Sequence, residues 1–105
     1  MKYTPWGQAQ HQTKLADGII FYITAGHGGI WLSAKRQAAL PACNNWLNTK
    51  EWWEEDCDWA VPYIFFGNDI QKYGAYQFNE NLSAAYALAE HHHPDFFKAH
   101  CVKTV

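Results

Sequence analysis

Three stretches carry residue types that do chemistry. Ala25-Gly26-His27-Gly28-Gly29 sets an imidazole among glycines, and successive exposed amides in such a loop can cradle an anion. No Gly-Lys-Ser/Thr ending follows and no helix opens after the glycines, so a tight hairpin turn is expected in place of a phosphate loop. His27 at its tip can donate to, accept from or titrate against a ligand; the plainer role is a solvated turn residue. Glu51 to Asp58 holds five of the ten acidic residues and no basic one. Paired carboxylates there could act as glycosidase acid and base or hold Mg²⁺, but both need convergence on a cavity. Read as a helix, Glu51, Glu54, Glu55 and Asp58 instead share one outward stripe, either a solvated face or a docking patch for a partner's Lys and Arg. Asp56 falls among tryptophans, where an unpaired charge is costly, so it is expected as a hydrogen-bonded structural tie.

His91-His92-His93 resembles a metal cluster, yet consecutive helical residues point about 100° apart and cannot all reach one ion. His93 with His100 or Cys101 across Pro94 is the arrangement left to a metal; a polar helix end is preferred, and no metal or cofactor is expected. Cys43, Cys57 and Cys101 are an odd set without C-x-x-C spacing, which speaks against a disulfide framework or thiolate zinc site and for reduced thiols in a cytoplasm. A nucleophilic pair of Cys57 with His27 has no support from spacing.

The elements that position these groups are uneven in clarity. Residues 1–17 are expected as an irregular polar arm whose Trp6 indole docks on the body. Gly18 to Ser33 is expected as a hairpin turning at His27-Gly28, pairing Ala25 with Ile30 and Ile23 with Leu32. That register puts Phe21, Ile23, Ala25, Ile30 and Leu32 on one face and Tyr22, Thr24, Trp31 and Ser33 on the other, a first interaction surface. Ser33 should cap a short helix through the Arg36 amide, stopped by Pro41. After a loop over Asn44 to Lys50, Asn48 and Glu51 have capping-box spacing for a helix from Thr49 towards Val61, with Pro62 ending or kinking it. Periodicity does not separate helix from strand over Pro62 to Tyr76. Asn81 is expected to cap a helix over Leu82–Glu90 with Leu82, Ala85, Tyr86 and Ala89 on one side, and Pro94 to open a last one carrying Phe96 and Phe97. The fold class is α+β: a small antiparallel hairpin or sheet packed against three or four short helices.

With 105 residues the chain is expected to be one domain over 1–105, and its 49% apolar and 17% charged content excludes disorder. Six Trp, six Tyr and six Phe are enough to build a core and leave rings for a surface. A net charge of −2 is too small to steer the molecule towards nucleic acid and speaks against a basic nucleic-acid binder, so no direct nucleic-acid contact is expected. No signal-like apolar region opens the chain and no run approaches a bilayer span, so a cytoplasmic protein without membrane contact is expected.

Tyr3-Thr4-Pro5-Trp6-Gly7-Gln8-Ala9-Gln10, Thr24-Ala25-Gly26-His27-Gly28-Gly29 and Trp53-Glu54-Glu55-Asp56-Cys57-Asp58-Trp59-Ala60 together resemble a family of small uncharacterised proteins and domains of phages, plasmids and other bacterial mobile elements. His93-Pro94-Asp95 resembles its closing motif. The resemblance implies a setting and no activity. By analogy with inhibitors of host defence, it implies a non-enzymatic protein of anti-CRISPR or anti-restriction type that blocks a host nuclease complex, a protein or protein–RNA assembly, in the bacterial cytoplasm. The partner-binding residues would be Trp6, Tyr22, His27, Trp31, Glu54, Glu55 and Asp58, with rings as hot spots and carboxylates competing for a nucleic-acid groove. The alternative is a small hydrolase or nucleotide- or metal-binding protein centred on His27 with Asp56 or Glu55. Oligomeric state, a homodimer included, is left open by the residues.

Overall fold

The computed structural model describes residues 3–40, 50–74 and 78–100, with side chains described from Asn81 in the last stretch. Cys43, Cys101, the stop at Pro41 and the Asn48 cap lie outside the described residues.

The chain opens with a minimal hairpin, β1 (Tyr3–Thr4) against β2 (Gly7–Gln8). The Thr4 hydroxyl pins it, donating to the Gly7 carbonyl at 2.8 Å and accepting from the Trp6 amide at 3.2 Å. Next come β3 (His11–Ala16), β4 (Ile19–Ile23) and β5 (Gly28–Leu32), then α1 (Ala34–Ala39) and β6 (Trp52–Glu54). The four longer strands form an antiparallel sheet in the order β3-β4-β5-β6. Among the described residues four helices follow: α2 (Ala60–Phe65), α3 (Gly67–Tyr73), α4 (Phe78–His92) and α5 (Pro94–His100). The architecture is α+β.

The expected irregular arm is thus structured. β3 turns into β4 through Asp17-Gly18, a two-residue connection in which Gly18 takes φ +78°, the left-handed region that favours glycine. Its His11, Gln12, Thr13 and Lys14 are exposed, as suits an edge strand.

The central hairpin forms with a different register. Ile23 pairs with Gly28 and Phe21 with Ile30, leaving residues 24–27 as the connection. Thr24 closes it: its amide and hydroxyl both donate to the His27 carbonyl, at 2.7 and 2.9 Å, and its hydroxyl accepts from the His27 amide at 3.1 Å. This shift, by an even number of residues, preserves the alternation of faces. Thr13, Phe21, Ile30 and Trp53 therefore form one cross-strand row on the helix side, and Gln12, Tyr22, Gly29 and Glu54 the neighbouring row on the other.

The helix expected from Thr49 to Val61 is replaced by a strand, a turn and a later helix start. Trp53 is sealed in the core while Trp52 and Glu54 remain partly open, a period of two that aromatic residues satisfy well in a sheet. The Trp53 indole N–H donates to the Lys50 carbonyl at 3.2 Å. Pro62 neither ends nor kinks a helix, for it stands in the first turn of α2, where its missing N–H has no intrahelical partner to lose. Residues 60–65 and 67–73 are helical on either side of Phe66, and α3 ends at Gly74 with φ +99°.

Asn81 lies inside α4, which begins earlier than its expected cap. Ala85 and Ala89, both fully buried, give α4 a small-residue face on which α2 packs. Pro94 opens α5 as expected and sends Phe96 into the core. Ile19, Ile30, Leu32 and Trp53 from the sheet meet Val61, Phe66, Ile70, Ala85 and Phe96 in one apolar cluster. Each large side chain sealed there contributes roughly 1.5–3 kcal/mol of transfer free energy.

Candidate functional site

The β1–β2 hairpin folds back over the outer face of the sheet. A Cβ on Gly29 would overlap the Trp6 ring, so the indole rests directly on the β5 backbone. Trp6 meets Trp52 edge-on at 5.8 Å between ring centres, and Tyr22 lies 5.7 Å from Trp52. The indole docks as expected, but it also covers part of the surface expected to meet a partner. Tyr22 is 4% exposed and Thr24 5%, so little of either is open, while Trp6 and Trp31 remain half-buried. Burial pushes the Tyr22 hydroxyl's pKa up.

Beside these rings the acidic segment divides. Glu54 belongs to the outer row opposite Gly29, and the carboxyl of the exposed Asp56 lies beside its own. The hydrogen bond that a protonated Glu54 donates to Asp56, desolvation, and the charges of Asp56 and Asp58 raise the Glu54 pKa, while His27 pulls it down. His27 is therefore an electrostatic neighbour of Glu54 from the exposed tip of the β4–β5 connection. Among the described residues no Lys or Arg ion-pairs with Glu54, Glu55 or Asp56.

Glu55 turns the other way. Its amide donates to the Gly28 carbonyl at 2.9 Å, and a Cβ on Gly28 would lie 2.9 Å from its Oε2. Gly28 thus serves close approach of a carboxylate, not the positive φ that a two-residue turn at His27-Gly28 requires. Glu55 lines a cleft of about 340 Å³ between sheet and helices, together with Thr13, Phe21, Trp59, Tyr63 and Asn81. His27 is not among its lining residues.

The one outward stripe of Glu51, Glu54, Glu55 and Asp58 does not form, because a strand alternates its side chains and the turn after it redirects them. Asp58, not Asp56, makes the structural tie. Its Oδ2 accepts from the Lys50 ammonium at 3.0 Å and its Oδ1 lies 3.1 Å from His93 Nε2. The His93 hydrogen bond first, and then Lys50, hold the Asp58 carboxyl well below the usual carboxylate range against the opposing effect of burial. The tie clamps the turn after β6 to the junction of α4 and α5. Cys57 is half-buried, and burial and Asp58 push its thiol up, away from a reactive thiolate. Among the described residues no group of three or more His, Cys, Asp or Glu could hold a metal ion, and no helix is long and apolar enough to cross a membrane.

A family model for a domain of unknown function, DUF7007, matches residues 1–105. The chain belongs to this family. No curated protein and no solved structure matches it.

In this DUF7007 chain, sequence reasoning brought forward Trp6, His27 and Glu54, which the fold places around one end of the outer face. It passed over Trp52, on which Trp6 and Tyr22 both lean, and the cleft residues Thr13, Tyr63 and Asn81. The alternation of Trp52 and Trp53 about the sheet was the signal for the first. The Asp17-Gly18 dipeptide was the signal for β3, and hence for Thr13.

Proposed function

We propose that this DUF7007 protein is a non-enzymatic binding protein of a mobile genetic element that acts in the bacterial cytoplasm on a host defence nuclease complex. The contact is the end of the outer sheet face where Trp6, His27, Glu54 and Asp56 gather. One observation carries this reading: residues from three separated stretches converge there, and the two carboxyls lie side by side with no Lys or Arg ion-paired to them among the described residues. Like charges held together without a counterion favour a cationic partner, since its Lys or Arg relieves their repulsion. The half-buried Trp6 supplies an amphipathic ring beside the charge, a residue type enriched at interface centres. A defence nuclease exposes such a basic groove for its nucleic acid, and occupying it blocks the substrate. The mobile-element setting rests on the motif resemblance described above.

The test is plating efficiency of a targeted phage on hosts with an active CRISPR or restriction system. Expression of the protein should raise plating by at least about tenfold, and the E54Q/D56N variant should lose most of the gain while keeping its melting temperature. Plating unchanged by the wild-type protein, or restored equally by both proteins, contradicts the proposal.

A further inference from the structure

The cleft behind the sheet carries the components of a second recognition site. Its walls are aromatic: Phe21 from β4, and Trp59 and Tyr63, whose rings meet at 72° with 5.1 Å between centres. Its polar groups are acceptors from three different elements. Thr13 brings a hydroxyl from the edge strand, Glu55 a carboxylate from the turn after β6, and Asn81 an amide from α4. Tyr63 hydrogen-bonds Asn81, and an amide that donates there keeps its carbonyl oxygen for another partner. The Glu55 carboxylate is half-buried against Gly28, and among the described residues no Lys, Arg or His forms an ion pair with it.

We propose that this cleft binds a guanidinium group carried on a short alkyl chain. A planar cation stacks on an aromatic face and presents a fork of N–H donors that a carboxylate accepts two at a time. A quaternary ammonium uses the rings but none of the three acceptors. A compact primary ammonium can lie over a ring, but it has no plane to stack there and no fork of N–H donors for both oxygens of a carboxylate. The volume of about 340 Å³ lies at the small end of ligand sites and suits a group of this size. The cleft can hold such a group whether or not the outer face meets a nuclease, so this inference stands apart from the proposed function. The guanidinium can belong to a free alkylguanidine or to an arginine side chain of a protein.

Amide and indole NMR of the full chain tests it with four probes: butylguanidine, its neutral counterpart butylurea, and a capped Gly-Arg-Gly peptide against the same peptide with citrulline. Butylguanidine should move Thr13, Trp59 and Asn81 resonances saturably while butylurea does not. If only the arginine peptide does so, and its citrulline twin does not, the site is assigned to a protein's arginine. E55Q should weaken binding by about tenfold or more, because the charge is lost and the shape kept. Should E55Q not fold, T13V on the edge strand is read in its place, with an expected loss of roughly two- to fivefold. No movement with either cation, equal movement with the neutral counterparts, or undiminished binding by the folded variant overturns the proposal. The E54Q/D56N variant keeps Glu55 and should bind butylguanidine or the arginine peptide as the wild type does, which separates this outcome from that of the outer face.

Discussion

At the scale of single residues, Asp58 ties together segments far apart in the chain. It joins Lys50, the turn after β6 and His93 at the α4–α5 junction through two contacts of 3.0 and 3.1 Å. Its folded-state pKa lies below the ordinary carboxylate value. The stabilisation it gives is therefore complete above that ordinary range and drains away as pH falls through it, because the unfolded chain then binds the proton more readily than the folded one. D58N should lower stability by about 1–3 kcal/mol near neutral pH, towards the lower figure since the group is partly open to water. It should also flatten the acid side of the stability–pH curve, checked by urea unfolding at a series of pH values. Pairing D58N with H93Q in a double-mutant cycle should reveal a coupling of roughly 0.5–2 kcal/mol, whereas additive losses would deny the tie.

At the scale of elements, the distinction between a helix and a strand over residues 51–58 decides where every carboxylate points. The helical reading followed the spacing of Asn48 and Glu51 and the clustering of acids. The fold instead follows Trp52-Trp53-Glu54, whose alternation seals one indole and leaves the other beneath Trp6. W53A should accordingly cost about 3–5 kcal/mol in unfolding experiments, whereas a surface helix position would cost well under that. The central hairpin was legible in its faces though not in its register, since Thr24 fixes the connection by local hydrogen bonds that hydrophobic pattern does not report. The α1 cap at Ser33 and the start of α5 at Pro94 were legible because capping is a local property. β3 escaped notice because an exposed edge strand has no apolar alternation. G18A tests its turn directly: a side chain at φ +78°, pressed towards Ser33, should cost about 1–2 kcal/mol or more. Of the candidate site, the residue types were visible in the chain, but their neighbours depended on pairings between stretches far apart in sequence.

At the scale of the whole molecule, a net charge of −2 conceals a division of labour between two faces. The outer face pairs rings with Glu54 and Asp56, and the cleft on the other side pairs rings with Glu55. Binding of a basic partner to the outer face should weaken with added salt, and also as pH falls into the carboxylate range. The second effect follows because Glu54, whose pKa is raised, takes up its proton earlier than an ordinary glutamate and then offers no charge. The most direct measurement is quantitative mass spectrometry of host proteins retained by the immobilised wild type and by E54Q/D56N, run in parallel at matched melting temperature. Subunits of a nuclease complex enriched on the wild type and depleted at least about tenfold on the variant are the predicted result. Equal recovery on both, or a wild-type eluate without any nuclease component, would contradict the account.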